Sequence, residues 1–187
     1  MKTFIDFIRL AVANENWYGA LIIALILPDI CGKIEFPDKS TNKRYPEWYD
    51  KYVSHKYEFG DCYQKGNTIF MTGNDCYALR CALLHEGHLD LRTQKASEKL
   101  QRIHFVVPKS EKIRHKINFS NIEFQLEVDK FCLDICDGAE KWLSDVSGNQ
   151  EIQDRIKKYS KFICSNYSPK PNKGMHQIPK PFGFWSW

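Results

Sequence analysis

The sequence predicts a mainly helical α+β domain, and three observations carry that expectation. Apolar residues recur at helical spacing over most of the 187 residues. One segment, 74–86, has a start signal, an apolar stripe and a stop signal that agree. A shorter region, 102–120, switches to the alternation of strands. The length fits one domain with a core of its own. Aromatic residues make up 14% of the chain, so that core should be rich in Phe, Tyr and Trp.

Phe4, Ile5, Phe7, Ile8 and Val12 mark a first helix. Asn14 or Asn16 can cap a second, which runs through Trp17, Leu21, Ile22, Leu25 and Ile26. It is apolar on nearly every side and is therefore expected at the centre of the fold. Pro28 should kink it or help end it, and Gly32 should stop it. Residues 39–44 read as a polar loop. Pro46 suits a first helical position, so a third helix is expected over 47–56 with Trp48, Tyr49 and Tyr52 inward. Residues 61–68 read as loop.

The segment 72–87 is the clearest local signal. Thr72 and Asp75 are spaced like a capping box. Cys76, Leu79, Ala82 and Leu83 follow at helical spacing, and Gly87 is placed as the left-handed residue beyond the last turn. Residues 103–107 and 117–119 then read as strands joined by a charged loop, which predicts a small antiparallel β-hairpin near 102–120. Helical spacing returns over 123–143 through Leu126, Phe131, Leu133, Ile135 and Trp142. A last helix is expected over 150–164. These elements make one helical domain, 1–166, followed by an irregular, basic, aromatic-ended C-terminal tail, 167–187. Phe182, Phe184, Trp185 and Trp187 would be costly to expose together, so docking onto their own domain is expected.

The net charge of +4 is uneven. After residue 149, seven basic residues face two acidic ones, a net +5 that leaves 1–149 at −1. Such a segment suits a solvated helix face or contact with phosphate. The seven cysteines are odd in number, irregularly spaced and without a CxxC. That excludes a secreted disulfide framework and predicts a reducing, cytoplasmic setting. The apolar run 17–28 is about a dozen residues, short of the roughly 20 that span a membrane, so no membrane association is expected. GxSxG, P-loop and HExxH motifs are absent from the sequence.

Arg80 and His85 stand at the end of the 74–86 helix, where partial negative charge favours cations. An imidazole there can titrate near neutral pH, and a guanidinium one turn earlier offers forked donors for phosphate. Five residues of ideal helix turn through about 500°, leaving the two side chains about 140° apart. The length of Arg80 and fraying at His85 would have to bring them together. His88 and Asp90 read as surface residues beyond the helix end, and no metal site is expected. Cys132 and Cys136 share a helix face and read as small core residues. His104 and His115 read as solvated or half-buried.

The segment 77–87, YALRCALLHEG, resembles the motif helix of the HEPN superfamily. These are all-helical domains, usually four-helix bundles, with an Arg and a His four to six residues apart near the end of one helix. Four residues separate Arg80 from His85. The resemblance implies an HEPN-like helical bundle and a metal-independent endoribonuclease that works as a homodimer, with both motifs facing one cleft. It implies His85 in acid–base chemistry, Arg80 on the phosphate, and a 2′,3′-cyclic phosphate product, with no cofactor. RNA would be the partner, with Lys157, Lys158 and Lys161 as RNA contacts from the basic segment. A toxin or phage-defence setting, with a protein partner such as an antitoxin, is of the same kind. The chain departs from the family at Cys81, where Asn, Asp or His often follows the Arg. The carboxylate supporting the pair would be Asp29 or Glu35. The alternative is a non-catalytic helical module that binds a protein or nucleotide, with Arg80 and His85 structural.

Overall fold

A computed structural model describes residues 1–60, 67–108, 115–119 and 122–164. Among these are six α-helices, a two-stranded antiparallel sheet and a three-stranded mixed sheet. Helix α1 (Lys2–Ala13) leads into α2 (Trp17–Glu35), which Asn16 caps by accepting from the Gly19 amide at 3.1 Å. The apolar surround of α2 puts it at the centre: α1, α3 (Thr41–Tyr52) and α5 (Val128–Asp145) all pack on it. By length and composition α2 could cross a membrane, with 19 residues and a mean hydropathy of 1.6. It is longer than the dozen residues expected because neither Pro28 nor Gly32 ends it. Gly32 lies inside the helix, where the Arg44 backbone of α3 crosses closely, 3.0 Å from where a Cβ would sit.

Helix α3 also begins earlier than expected, at Thr41, so 41–44 are helical rather than loop. Pro46 therefore sits inside the helix rather than at its first position. Its missing N–H costs one helical hydrogen bond. That segment is held on both sides. The Tyr45 hydroxyl donates to the Leu25 carbonyl at 3.0 Å, and Trp48, Tyr49 and Tyr45 are fully buried. A short 3₁₀ turn (Ser54–Tyr57) ends the segment and leads to β1 (Glu58–Gly60). Strand β1 pairs antiparallel with β2 (Asn67–Ile69), so Asn67 and Thr68 are strand rather than loop; 61–66 lie outside the described residues.

Helix α4 (Gly73–Cys81) runs without a break into a π-helical turn (Ala82–Glu86), so the helix expected over 74–86 is one continuous element. Both halves of its capping box are formed: Thr72 Oγ1 accepts from the Asp75 amide at 3.2 Å, and Asp75 Oδ2 accepts from the Thr72 amide at 3.2 Å. Gly87 ends it in the left-handed region, at φ 74°. The start crosses α3 so closely that a Cβ on Gly73 would lie 2.4 Å from the Pro46 carbonyl oxygen.

The expected hairpin does not form. Strand β3 (Arg102–Val106) and β4 (Ile117–Phe119) are not neighbours; β5 (Glu123–Glu127) lies between them. Strand β5 is parallel to β3 and antiparallel to β4, with Ile103 opposite Phe124 and Ile117 opposite Gln125. Residues 123–127, expected as helix, are thus the central strand. Phe124 and Leu126 alternate inward and are fully buried, which is a strand period. The chain then turns into α5, whose Phe131, Ile135 and Trp142 complete the core. Arg9 clamps α1 to α5 through a bidentate pair with Glu140 at 2.8 and 2.9 Å. Helix α6 (Gln150–Cys164) matches the last expected helix and packs on α2. The aromatic-ended tail lies outside the described residues.

Candidate functional site

The start of the motif helix is fixed by one carboxylate. Asp75 is fully buried, and its Oδ2 also accepts from Thr72 Oγ1 at 3.0 Å. Its Oδ1 accepts three consecutive backbone amides of the loop before β3: Glu98 at 2.9 Å, Lys99 at 2.9 Å and Leu100 at 3.1 Å. Asp50 of α3 accepts from the Gly73 amide at 2.7 Å, and burial raises its carboxyl above the ordinary range. The helix is thereby tied to α3 and to the approach to β3, which fixes where its far end points.

At that far end the two singled-out side chains meet. Arg80 Nη1 lies 3.0 Å from His85 Nε2. Arginine only donates, so Nε2 is the acceptor and the neutral ring carries its proton on Nδ1. The π turn explains the meeting. Hydrogen bonds that span five residues rather than four bring residues five apart onto one face. The Gly87 amide is shared between the Ala82 carbonyl and the Leu83 carbonyl, the latter at 3.2 Å. The 140° separation of an ideal helix does not arise, and fraying is not needed.

Asp29 of α2 stands behind the pair. Its Oδ2 is 3.7 Å from Arg80 Nη2, an ionic contact too long for a hydrogen bond. Its Oδ1 takes a short bond, 2.8 Å, from Arg44 Nη2. Arg44 is fixed further by donating to the Lys39 carbonyl at 2.8 Å. The order is therefore Arg44, Asp29, Arg80, His85, with charge alternating along the first three. Arg44 is structural: it spends its donors on its own chain. Arg80 spends one short bond, on His85, and its Nε is buried without a described partner. Its side chain is 19% exposed, and His85 is exposed. Of the two acidic residues considered, Asp29 is the one present; Glu35 pairs with Lys51 at 2.7 Å.

Two further side chains border the pair. The Cys81 thiol lies 4.0 Å from Arg80 Nη1. The Tyr77 ring packs on Tyr45 with centroids 5.5 Å apart. Burial and the adjacent Cys81 push the Tyr77 phenol up, against the pull of Arg80. Arg44 and Tyr77 were not singled out from sequence. A motif helix shows only its own residues, and the only sign of Tyr77 is its i, i+3 spacing from Arg80.

The lysines expected as RNA contacts lie apart from this site. Lys157 and Lys158 are exposed on α6, and Lys157 pairs with Asp154 at 3.1 Å. The Lys161 side chain lies outside the described residues. Helix α6 packs on α2, and no described contact joins these lysines to Arg80 or His85. His88 pairs with Glu86 at 2.7 Å, and Asp90 with Arg92. Cys132 and Cys136 are buried free thiols in the core, and burial pushes Cys136 up to about 12. His104, half-buried, lies 3.1 Å from Glu123. His115 is half-buried, as expected: it accepts from the Glu127 amide at 3.1 Å and faces Asp134 at 3.6 Å. No protein-family model, curated protein or solved structure matches the chain.

Proposed function

We propose that the chain is an HEPN-like, metal-independent endoribonuclease acting as a homodimer. The observation that carries this reading is the 3.0 Å contact between Arg80 and His85 on a π turn, at an accessible surface. π turns inside α-helices occur frequently at functional sites, because they cost helix geometry and are kept for what they position. In the reaction, the RNA phosphate takes the Arg80 guanidinium, which releases His85 Nε2. Nε2 then accepts the proton of the ribose 2′-hydroxyl. The 2′-oxygen bonds to phosphorus, the P–O5′ bond breaks, and the leaving oxygen takes a proton from an acid on the opposite side. The two products are a 2′,3′-cyclic phosphate and a 5′-hydroxyl. Arg80 stabilises charge as it builds on the phosphoryl oxygens. A two-fold arrangement supplies the acid as the partner subunit's His85. It also supplies the second wall of a cleft, since His85 on one copy faces open solvent.

A second reading has its own support. Arg80 is already near Asp29 of its own chain, and four clefts of the described surface are lined by other residues. A non-catalytic module that binds a protein or nucleotide, with Arg80 and His85 structural, would look the same. Cleavage of RNA in EDTA separates the two. Wild type should leave 2′,3′-cyclic phosphate ends, and His85→Ala and Arg80→Ala should each lose about 10²-fold or more in rate. Absence of cleavage by wild type, or unchanged rates in both variants, rejects the nuclease and leaves the binding module.

A further inference from the structure

The sheet leaves one rim partly open. Among the described residues, strand β3 is at the edge, and its outer side is paired only at its start, through an isolated bridge between Asp90 and Arg102. There the Leu91 amide donates to the Gln101 carbonyl at 2.8 Å and the Ile103 amide to the Leu89 carbonyl at 3.3 Å. Backbone groups alternate in direction along a strand, so Phe105 and then Val107 also turn theirs outward. Among the described residues no strand pairs with that stretch. Directly beside it runs an apolar groove of about 290 Å³, lined by Trp17, Tyr18, Leu21, Leu83, Leu89 and Val107 among others. Tyr18 is 76% exposed and Val107 39%. An open backbone rim flanked by apolar side chains is a template for one more strand.

We propose that this rim and groove are the docking site of the chain's own segment 182–187, FGFWSW, added as a further strand beside β3. Three features select that occupant. Four of its six residues are large aromatics, matching an apolar groove rather than solvent. It holds no proline, whereas 169–181 carries Pro169, Pro171, Pro179 and Pro181, and proline cannot donate to a ladder. Six residues is also about the length of an ordinary strand. In extended geometry Trp185 and Trp187 share one face and Phe182 and Phe184 the other. The connection is long enough. Helix α6 packs on α2, and the residues lining the groove include the first turns of α2. The 17 residues between Cys164 and Phe182 can span about 55 Å. The whole of α2 is only about 28 Å long.

Amide hydrogen exchange on the full-length chain tests this, with Trp185→Ser/Trp187→Ser as the variant. In wild type the Phe105 and Val107 amides should be protected. In the variant both should exchange roughly tenfold faster or more. The Ile103 amide, held by Leu89, should not change, which also shows that the variant remains folded. Equal Phe105 rates in wild type and variant overturn the proposal. Protection that rises with protein concentration also overturns it, because the strand then comes from a second copy.

Discussion

Replacing Asp75 with Ala should loosen the motif helix at its base. The side chain accepts five hydrogen bonds: two from Thr72 and one each from the Glu98, Lys99 and Leu100 amides. Losing the N3 half of the capping box leaves the buried Thr72 amide without its acceptor, which costs about 1 kcal/mol. The Leu100 amide is buried and would be stranded, which costs about 1–3 kcal/mol. The Glu98 and Lys99 amides are only part-buried, so water offsets much of their loss and about 0.5 kcal/mol each is left. The expected total is about 3–5 kcal/mol. It is read as a lower urea midpoint at unchanged slope, with exchange of the 98–100 amides rising most. Asp75→Asn should lose less, because one carbonyl oxygen can still face the three loop amides. A loss under about 1 kcal/mol in Asp75→Ala would refute the reasoning, since it would mean that the loop amides find other acceptors.

Two other perturbations follow from the same geometry. Asp134 receives Tyr57 at 3.0 Å and Lys56 at 2.9 Å, with His115 at 3.6 Å and Lys116 at 3.8 Å. Burial alone would raise its carboxyl, but the nearby His115 and the bond from Lys56 outweigh it and hold it at about 2. A depressed carboxylate contributes stability that is complete above its unfolded value and is lost as pH falls from about 4 to about 2. After allowing for screening of the partly exposed lysines, that is about 1–2 kcal/mol. Urea midpoints at pH 5 and pH 2.5 should therefore differ more in wild type than in Asp134→Asn. Gly73→Ala puts a Cβ 2.4 Å from the Pro46 carbonyl oxygen, so α3 and α4 must separate. Overpacking of this kind costs about 1–3 kcal/mol, seen as a lower melting temperature with the Tyr45–Tyr77 contact disturbed.

Where the sequence signals were local and redundant, they carried through to the structure. Thr72, Asp75 and Gly87 each mark the motif helix independently, and each does in the fold what its residue type favours. The central place of α2 was legible because a helix that is apolar on nearly every side has nowhere else to go. The sheet was not legible in the same way. Leu126 fits both a helical and a strand period, and only burial of Phe124 beside it separates the two. Pairing of 103–107 with 117–119 is the short-range choice. The actual partner of both is β5, and no pattern within either strand names it. The start of α3 was missed because Pro46 suits a first turn. Its cost in mid-helix is offset by tertiary contacts that only the folded chain supplies.

The candidate site divides along the same line. Arg80 and His85 were visible because they share a helix with clear ends, yet ideal geometry argued against their meeting. What resolves that is a π turn, which no propensity marks. Its four bridging residues, Cys81, Ala82, Leu83 and Leu84, are ordinary helix formers or neutral. Asp29 and Arg44 come from 51 and 36 positions earlier in the chain, brought near by the crossing of α2 and α3. That crossing is what gives Arg80 its character. Arg44 takes the short bond to Asp29 Oδ1, while Oδ2 faces Arg80 at 3.7 Å, an ionic contact without a hydrogen bond. A guanidinium in that state can move its donors onto an anion without first breaking a strong pair of its own.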